Sequence, residues 1–349
     1  MSRRNDAERA PTSTLRRRFG ARRVITLLIG AMLAAALAWT VHHVVGWRAV
    51  GITALSIGAS YWIGFVGLLS LSYATRVVRL WRLLRNIKPN AQLARSAAVF
   101  FVHNGFASLL PARIGEAALP LLARRWMGID WASVIGALTW WRLVDVAVVG
   151  AIALLLLAMG ADVLAPLYVF AFAACALPLI ALALRRMLLR LGDTTMGGSA
   201  TPAWRRFLRR ALAGMPACAG AVSADLLLAI TAWSTKLAAF SALIAGALQA
   251  SMAAVPATVL PGLRQLAGAA LAGDVAGALP TPSIAGVGPF EAGLVLGLQA
   301  VGIELAQALA VAVLLHAALL ATIAVGAVSG LLGGLLLDRR RPARRSGRG

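Results

Sequence analysis

The sequence predicts an all-α polytopic membrane protein, with about six full transmembrane helices plus two re-entrant broken hairpins in a pseudo-inverted repeat, both termini inside. Three observations lead there. Mean hydropathy is +0.82, and 60% of residues are hydrophobic against 13% charged, which lies outside the range of soluble globular chains. The charge is also confined. Of the 34 Lys+Arg, all but Arg48, Arg113, Arg142, Lys236 and Arg264 fall in five clusters: Arg3 to Arg23, Arg76 to Arg95, Arg124 with Arg125, Arg185 to Arg210, and Arg339 to Arg348. Between the clusters run apolar stretches that approach or exceed the ~20 residues a bilayer-spanning helix needs. Basic loops stay on the cytoplasmic side, so the clusters set the topology.

Taken in order, residues 1–23 form a basic cytoplasmic tail. Residues 24–337 form one transmembrane domain, and residues 338–349 form a second basic cytoplasmic tail. Val24–Val45 goes out, an uncleaved first span rather than a signal peptide, because no small-residue cleavage pattern closes it. Ala49–Thr75 returns. Ser96–Ala123 is too interrupted for a comfortable span and has basic residues on both flanks, so it is expected to be a re-entrant hairpin. Irregular backbone at that depth is tolerated where it is buried in protein or lines a wet cavity. Ala132–Met159 goes out and Val163–Leu184 returns, completing a first half over 24–184. A basic linker, 185–216, holds Gly192, Gly197, Gly198, Ser199 and Pro202. The second half, 217–337, opens with Ala217–Leu237. A stretch from Leu243 to Gly302, broken by Pro256, Pro261, Pro280, Pro282 and Pro289, is the second hairpin, entered from outside. Leu305–Leu337 returns to the cytoplasm. Corresponding broken segments in two halves are the layout of inverted-repeat transporters, whose sites lie near the midplane.

Ionisable groups inside the apolar stretches are costly unless paired or used, so they are the candidate site. Arg113 and Glu116 sit three apart at the break Leu109-Leu110-Pro111-Ala112-Arg113-Ile114-Gly115-Glu116, a spacing that lets them pair on a helical face. Pro111 suits a first helical turn. A helix starting there would aim N–H groups at an anion, with Arg113 able to bind phosphate through two parallel hydrogen bonds. The other reading is an ion pair that only stitches the hairpin. Arg142 and Asp145 repeat the spacing inside a long span, where a structural pair and a substrate contact are equally open. In the second half, the segment from Pro282 through Gly286, Gly288 and Pro289 to Glu291 is the most distinctive. Its glycines permit positive φ, and Pro289 would open a helix with Glu291 in its first turn. Glu291 is then a partner for a cation from the other half, a proton carrier, or simply a helix-start acid. Weaker candidates are Asn104 with His103 near the first hairpin tip, Asp225, Lys236, Arg264, Asp274, and His316, expected as a hydrogen-bonded packing residue. Asp225 and Lys236 are eleven residues apart, about 16 Å along a helix, too far to touch. Lys236 is expected to snorkel to the outer interface.

Several classes are excluded. The sequence shows no nucleophile–base pair, Walker motif, HExxH or paired metal-ligand spacing, so no enzyme, cofactor or metal is expected. Cys175 and Cys218 read as small buried hydrophobes. The net charge of +22 sits in juxtamembrane segments, which points to anionic headgroups rather than nucleic acid.

Two motifs resemble a known family, the transmembrane flippase-like domain of lysylphosphatidylglycerol synthases. Asn104 to Glu116 resembles its N-x-x-x-P-x-R-x-G-E hairpin, followed by Trp141-Arg142-Leu143-Val144-Asp145, which is similar to its E/R-x-x-D helix. Pro282 to Glu291 resembles its P-x-x-x-G-x-G-x-x-E loop. The likeness covers roughly residues 50–335. Two departures stand out: Ala117-Ala118-Leu119-Pro120 follows Glu116 where the family usually has an arginine, and His316 stands where it often has one. The resemblance implies a stand-alone member, without an aminoacyl-transferase domain, in the bacterial inner membrane. Its implied role is translocation of a polar lipid, anionic or phosphate-bearing, with the headgroup held by Arg113 and Arg142 and balanced by Glu116, Asp145 and Glu291. The alternatives are a non-transporting scaffold for a lipid- or envelope-biosynthesis membrane enzyme, and a small-solute or ion transporter.

Overall fold

The computed structural model describes residues 12–159, 164–194, 202–251 and 261–339, and these are helical or connecting with no strand among them. Twelve α-helices run α1 Thr12–Val44, α2 Trp47–Ser56, α3 Ala59–Ile87, α4 Leu93–Leu109, α5 Ala118–Leu122, α6 Trp131–Ala158, α7 Leu164–Thr194, α8 Ala203–Ala213, α9 Ala219–Ser251, α10 Leu263–Ala278, α11 Pro289–Gln299 and α12 Leu305–Arg339. Among the described residues, five helices are long and apolar enough to cross a membrane: Ile25–Val44 of α1, α3, α6, α9 and α12. The sixth expected crossing, Val163–Leu184, coincides from Leu164 onward with α7, a 31-residue helix that carries Pro178 and is outside those five; Val163 lies outside the described residues.

Three expected boundaries move. Ala49–Thr75 is not one element: extended backbone at Ile57 and Gly58 ends α2, and α3 begins afresh at Ala59. α3 then runs through Arg76, Arg79, Arg82 and Arg85 to Ile87. Arginine and leucine are good helix formers, so the basic cluster begins inside a helix rather than a loop. α9 extends to Ser251, which shortens the second hairpin to α10, a loop and α11; Pro256 lies outside the described residues. The linker contains α8, whose backbone at Ala211 packs so closely on Gly136 of α6 that a Cβ there would lie 1.8 Å from the Ala211 carbonyl oxygen. Gly197, Gly198 and Ser199 lie outside the described residues.

The long helices pair antiparallel. In α3 and α9, Tyr61 donates to Gln249 at 2.7 Å, the Ser72 hydroxyl donates to the Ala232 carbonyl at 2.6 Å, and Arg79 meets Asp225. α4 lies along α12, with Phe101 over Gly326 and Gly330 and Gly105 against Ala327, the small-residue contact by which apolar helices approach closely. α10 and α11 form a tight hairpin: Gly297 meets Ala269, Gly293 meets Ala272 and Ala276, and Gly277 meets Phe290. α4 (17 residues), α10 (16) and α11 (11) rise only ~16–26 Å at 1.5 Å per residue, short of a ~30 Å hydrocarbon core. α1 touches both breaks, contacting the turn at Pro111–Ala117 and packing Gly30 against the Pro282 carbonyl and Ile284.

Candidate functional site

The buried charges lie mainly along the seam of α3 and α9. On α3, Phe65, Leu69, Ser72, Arg79 and Leu83 are buried at the four- and three-residue steps of one helical stripe. Arg79 has no exposed side-chain surface. Its Nε donates to Asp225 Oδ1 at 2.7 Å and its Nη2 to Asp225 Oδ2 and the Trp141 carbonyl, each at 3.2 Å, while Nη1 donates to Asp145 Oδ1. Two indole N–H groups complete the set, Trp140 on Asp225 Oδ2 at 2.8 Å and Trp141 on Asp145 Oδ2 at 2.9 Å. Every carboxylate oxygen in this knot accepts a bond. A buried pair holds when its remaining lone pairs are satisfied in this way.

Arg142 and Asp145 approach no closer than 3.9 Å, since each has a nearer partner. Arg142 donates through Nη2 to Glu116 Oε1 across the first hairpin break. Pro111 to Ala117 form a 3-10 helix rather than an α-helix, and its three residues per turn keep positions 113 and 116 on one face. The Arg113 side chain lies outside the described residues. Gly115 is needed for contact, because a Cβ there would lie 1.9 Å from the Phe106 carbonyl oxygen. His103 Nε2 is 3.8 Å from Glu116 Oε2, and Arg142 is 40% exposed against 24% for Glu116. Asn104 sits beside the Tyr73 hydroxyl.

The second break is sealed. Gly286 and Gly288 adopt φ of 74° and 94°, and even Ala285 is at 56°. Pro289 opens α11, and Glu291 Oε2 accepts from the Gly288 N–H at 2.8 Å. Glu291 Oε1 lies 2.6 Å from His316 Nδ1, and His316 Nε2 lies 3.1 Å from the Ala285 carbonyl. The partner of Glu291 is thus His316 of the same half rather than a cation from the other half, and His316 is the hydrogen-bonded, packed residue expected, stacked on Phe290. Both ring nitrogens lie within hydrogen-bond distance of an oxygen.

Lys236 does not snorkel. Its ammonium lies 2.6 and 2.8 Å from the Asp274 oxygens, with both side chains 14% exposed or less, and within 5.1 Å of the Trp233 ring. Lys236 lies mid-way along a helix 33 residues long, so a paired ammonium is closer than any interface. Cys218 is exposed rather than buried, because it precedes α9 at the bundle's end. The Cys175 side chain lies outside the described residues.

Arg79, Arg76 and the tryptophans Trp140, Trp141 and Trp233 escape a reading by sequence because the two arginines look like the start of a basic loop. The signal that finds them is the apolar stripe of α3, which passes through positions 76 and 79 but not 82 or 85. No group of three or more His, Cys, Asp or Glu side chains that could hold a metal occurs among the described residues.

Residues 24–327 match the family described as the lysylphosphatidylglycerol synthase TM region, most of the 349-residue chain, and the chain belongs to that family. No curated protein matches it.

Proposed function

We propose that this member of the lysylphosphatidylglycerol synthase transmembrane family translocates a polar, phosphate-bearing lipid across the bacterial cytoplasmic membrane, without covalent chemistry. The observation that carries this reading is a file of buried charges containing hydrogen-bond donors that no described residue accepts from. Arg76 Nη2, Arg142 Nε and Trp233 Nε1 are buried and make no hydrogen bond. A bundle that needed charges only for cohesion would satisfy them, as it does around Arg79, since an unmet buried donor costs about 1–3 kcal/mol.

In this reading α7 is the sixth crossing, and the two breaks are re-entrant hairpins that approach from opposite faces, the inverted layout in which hairpins rock about a midplane site. The gathering of basic residues at one end supports cytoplasmic termini. Arg95 donates to the Trp126 and Leu337 carbonyls at 2.9 and 3.0 Å, which brings three clusters together, and Arg210 of a fourth lies 3.6 Å from Asp130. The headgroup passes Arg142, Glu116 and Arg113 at the first break, while the Glu291–His316 proton offers a coupling step.

The saturated knot around Arg79 favours a second reading, a membrane scaffold that docks a lipid- or envelope-biosynthesis enzyme. One experiment separates the two. Protein reconstituted in vesicles with labelled phospholipids should move lipid between leaflets, and both Arg142→Gln and Glu291→Gln should abolish that movement while leaving folded protein in detergent. Absence of movement for anionic, zwitterionic and isoprenoid lipids alike would overturn the translocase in favour of the scaffold.

A further inference from the structure

We infer that Arg76, Trp233 and Lys236 form a phosphate subsite on the α3–α9 seam, a position for the headgroup that deepens, and rests on, the translocase reading. Arg76 lies one helical turn before Arg79, yet its circumstances are opposite. Among the described residues its ionic contact is Nη1 at 3.9 Å from Asp145 Oδ2, with its side chain 12% exposed. Asp145 is already answered by Arg79 and by the Trp141 N–H. Arg76 therefore carries a buried Nη2 that makes no hydrogen bond among the described residues.

Its neighbour repeats the pattern. The Arg76 guanidinium carbon lies 4.9 Å from the Trp233 ring centre, and the Trp233 Nε1–H is itself buried without an acceptor. Lys236 lies 5.1 Å from the same ring. Two cations and two unused donors thus gather round one indole. The chemistry that meets them is an anion with several acceptor oxygens, such as a phosphate mono- or diester. Guanidinium binds such groups through two parallel bonds, and the ammonium adds a point charge.

The pairing is uneven although Arg76, Arg79, Arg142 and Lys236 equal in number Glu116, Asp145, Asp225 and Asp274. Arg79 takes Asp225 and Asp145, Arg142 takes Glu116 and Lys236 takes Asp274. The cation left over is Arg76. An anion binding there replaces a distant contact to Asp145 without stripping Asp145 of its partners. The phosphate belongs to either a lipid headgroup or a free phosphate ester, and the assay distinguishes them.

The test uses the full chain purified in detergent, with binding followed by thermal shift and native mass spectrometry. The probes are dioctanoyl phosphatidylglycerol, dioctanoylglycerol (which lacks the phosphate) and glycerol 3-phosphate. The variants are Arg76→Gln, and Trp233→Phe, which keeps a ring and removes only the N–H. The expected result is binding of phosphatidylglycerol but not dioctanoylglycerol. Arg76→Gln should weaken it about tenfold, the size of a lost charge-assisted pair, and Trp233→Phe by less. Competition by glycerol 3-phosphate at similar concentrations would make the ligand a free phosphate ester, and its failure to compete would make it a lipid. Unchanged phosphatidylglycerol affinity in Trp233→Phe and in Arg76→Gln would overturn the subsite. Loss of binding in these variants beside a wild type that moves no lipid would keep the subsite and discard the translocase. Intact binding in them beside translocation that Glu291→Gln removes would do the reverse.

Discussion

Arg79 and Arg142 are both guanidiniums held by carboxylates within one helix bundle, and they are held differently. Arg79 has no exposed surface and bonds two aspartates and a backbone carbonyl, with two indoles completing the aspartates. Arg142 is 40% exposed, bonds Glu116 through Nη2, and leaves its Nε unused. The first arrangement is closed: nothing can enter without displacing a bond already made. The second is open, at a break where the backbone tightens into a 3-10 turn. Saturation, rather than burial alone, separates the charges that hold the bundle from those free to meet a ligand.

That contrast predicts a ranking of stability losses. Arg79→Met should be the most damaging, because it strands two buried carboxylates. Removing one partner of a buried pair costs about 3–5 kcal/mol, read as a large drop in detergent melting temperature or as loss of monodisperse protein. A melting temperature close to wild type would break the comparison. Gly293→Ala comes next, since the new Cβ would lie 2.5 Å from the Ala272 carbonyl oxygen and forces α10 from α11 at a cost of about 1–3 kcal/mol. Glu291→Gln should follow, because it weakens the contact to His316 but keeps an acceptor for the Gly288 N–H. Its stability loss should be about 1 kcal/mol, accompanied by loss of lipid movement. A Glu291→Gln protein that still moves lipid at the wild-type rate would remove the proton from the mechanism.

How much of this was legible in the sequence follows from the same physics. Apolar length and basic punctuation marked α1, α6, α9 and α12, because hydropathy and charge act on whole segments. Pro289 and Glu291 marked the start of α11, because a helix opening there needs no N–H from proline and favours an acid. The partners were not legible. Arg142 reaches Glu116 from another helix, and Asp225 finds Arg79 across 146 positions. The three-residue rule treats pairing as local, whereas these pairs form where helices cross. Arg76 and Arg79 were hidden for a second reason: they share a cluster with Arg82 and Arg85, and only the buried face of α3 separates them.

The smallest expected stability effect belongs to Arg142→Gln, and it sharpens the comparison most. At a break open to water, as the translocase reading requires, an ion pair with this exposure is screened and worth about 0–1 kcal/mol, so the melting temperature should scarcely move. If Arg142 is among the residues that meet the headgroup, lipid movement should nonetheless fall steeply, and Arg142→Lys should recover part of it by restoring the charge without the fork. The dissociation of the two readouts is what matters. Arg79→Met loses function because the fold fails, whereas Arg142→Gln should lose it with the fold intact. If Arg142→Gln instead lost stability and function together, the first break would be a second structural knot, and the search for the headgroup would narrow to Arg76 and Trp233.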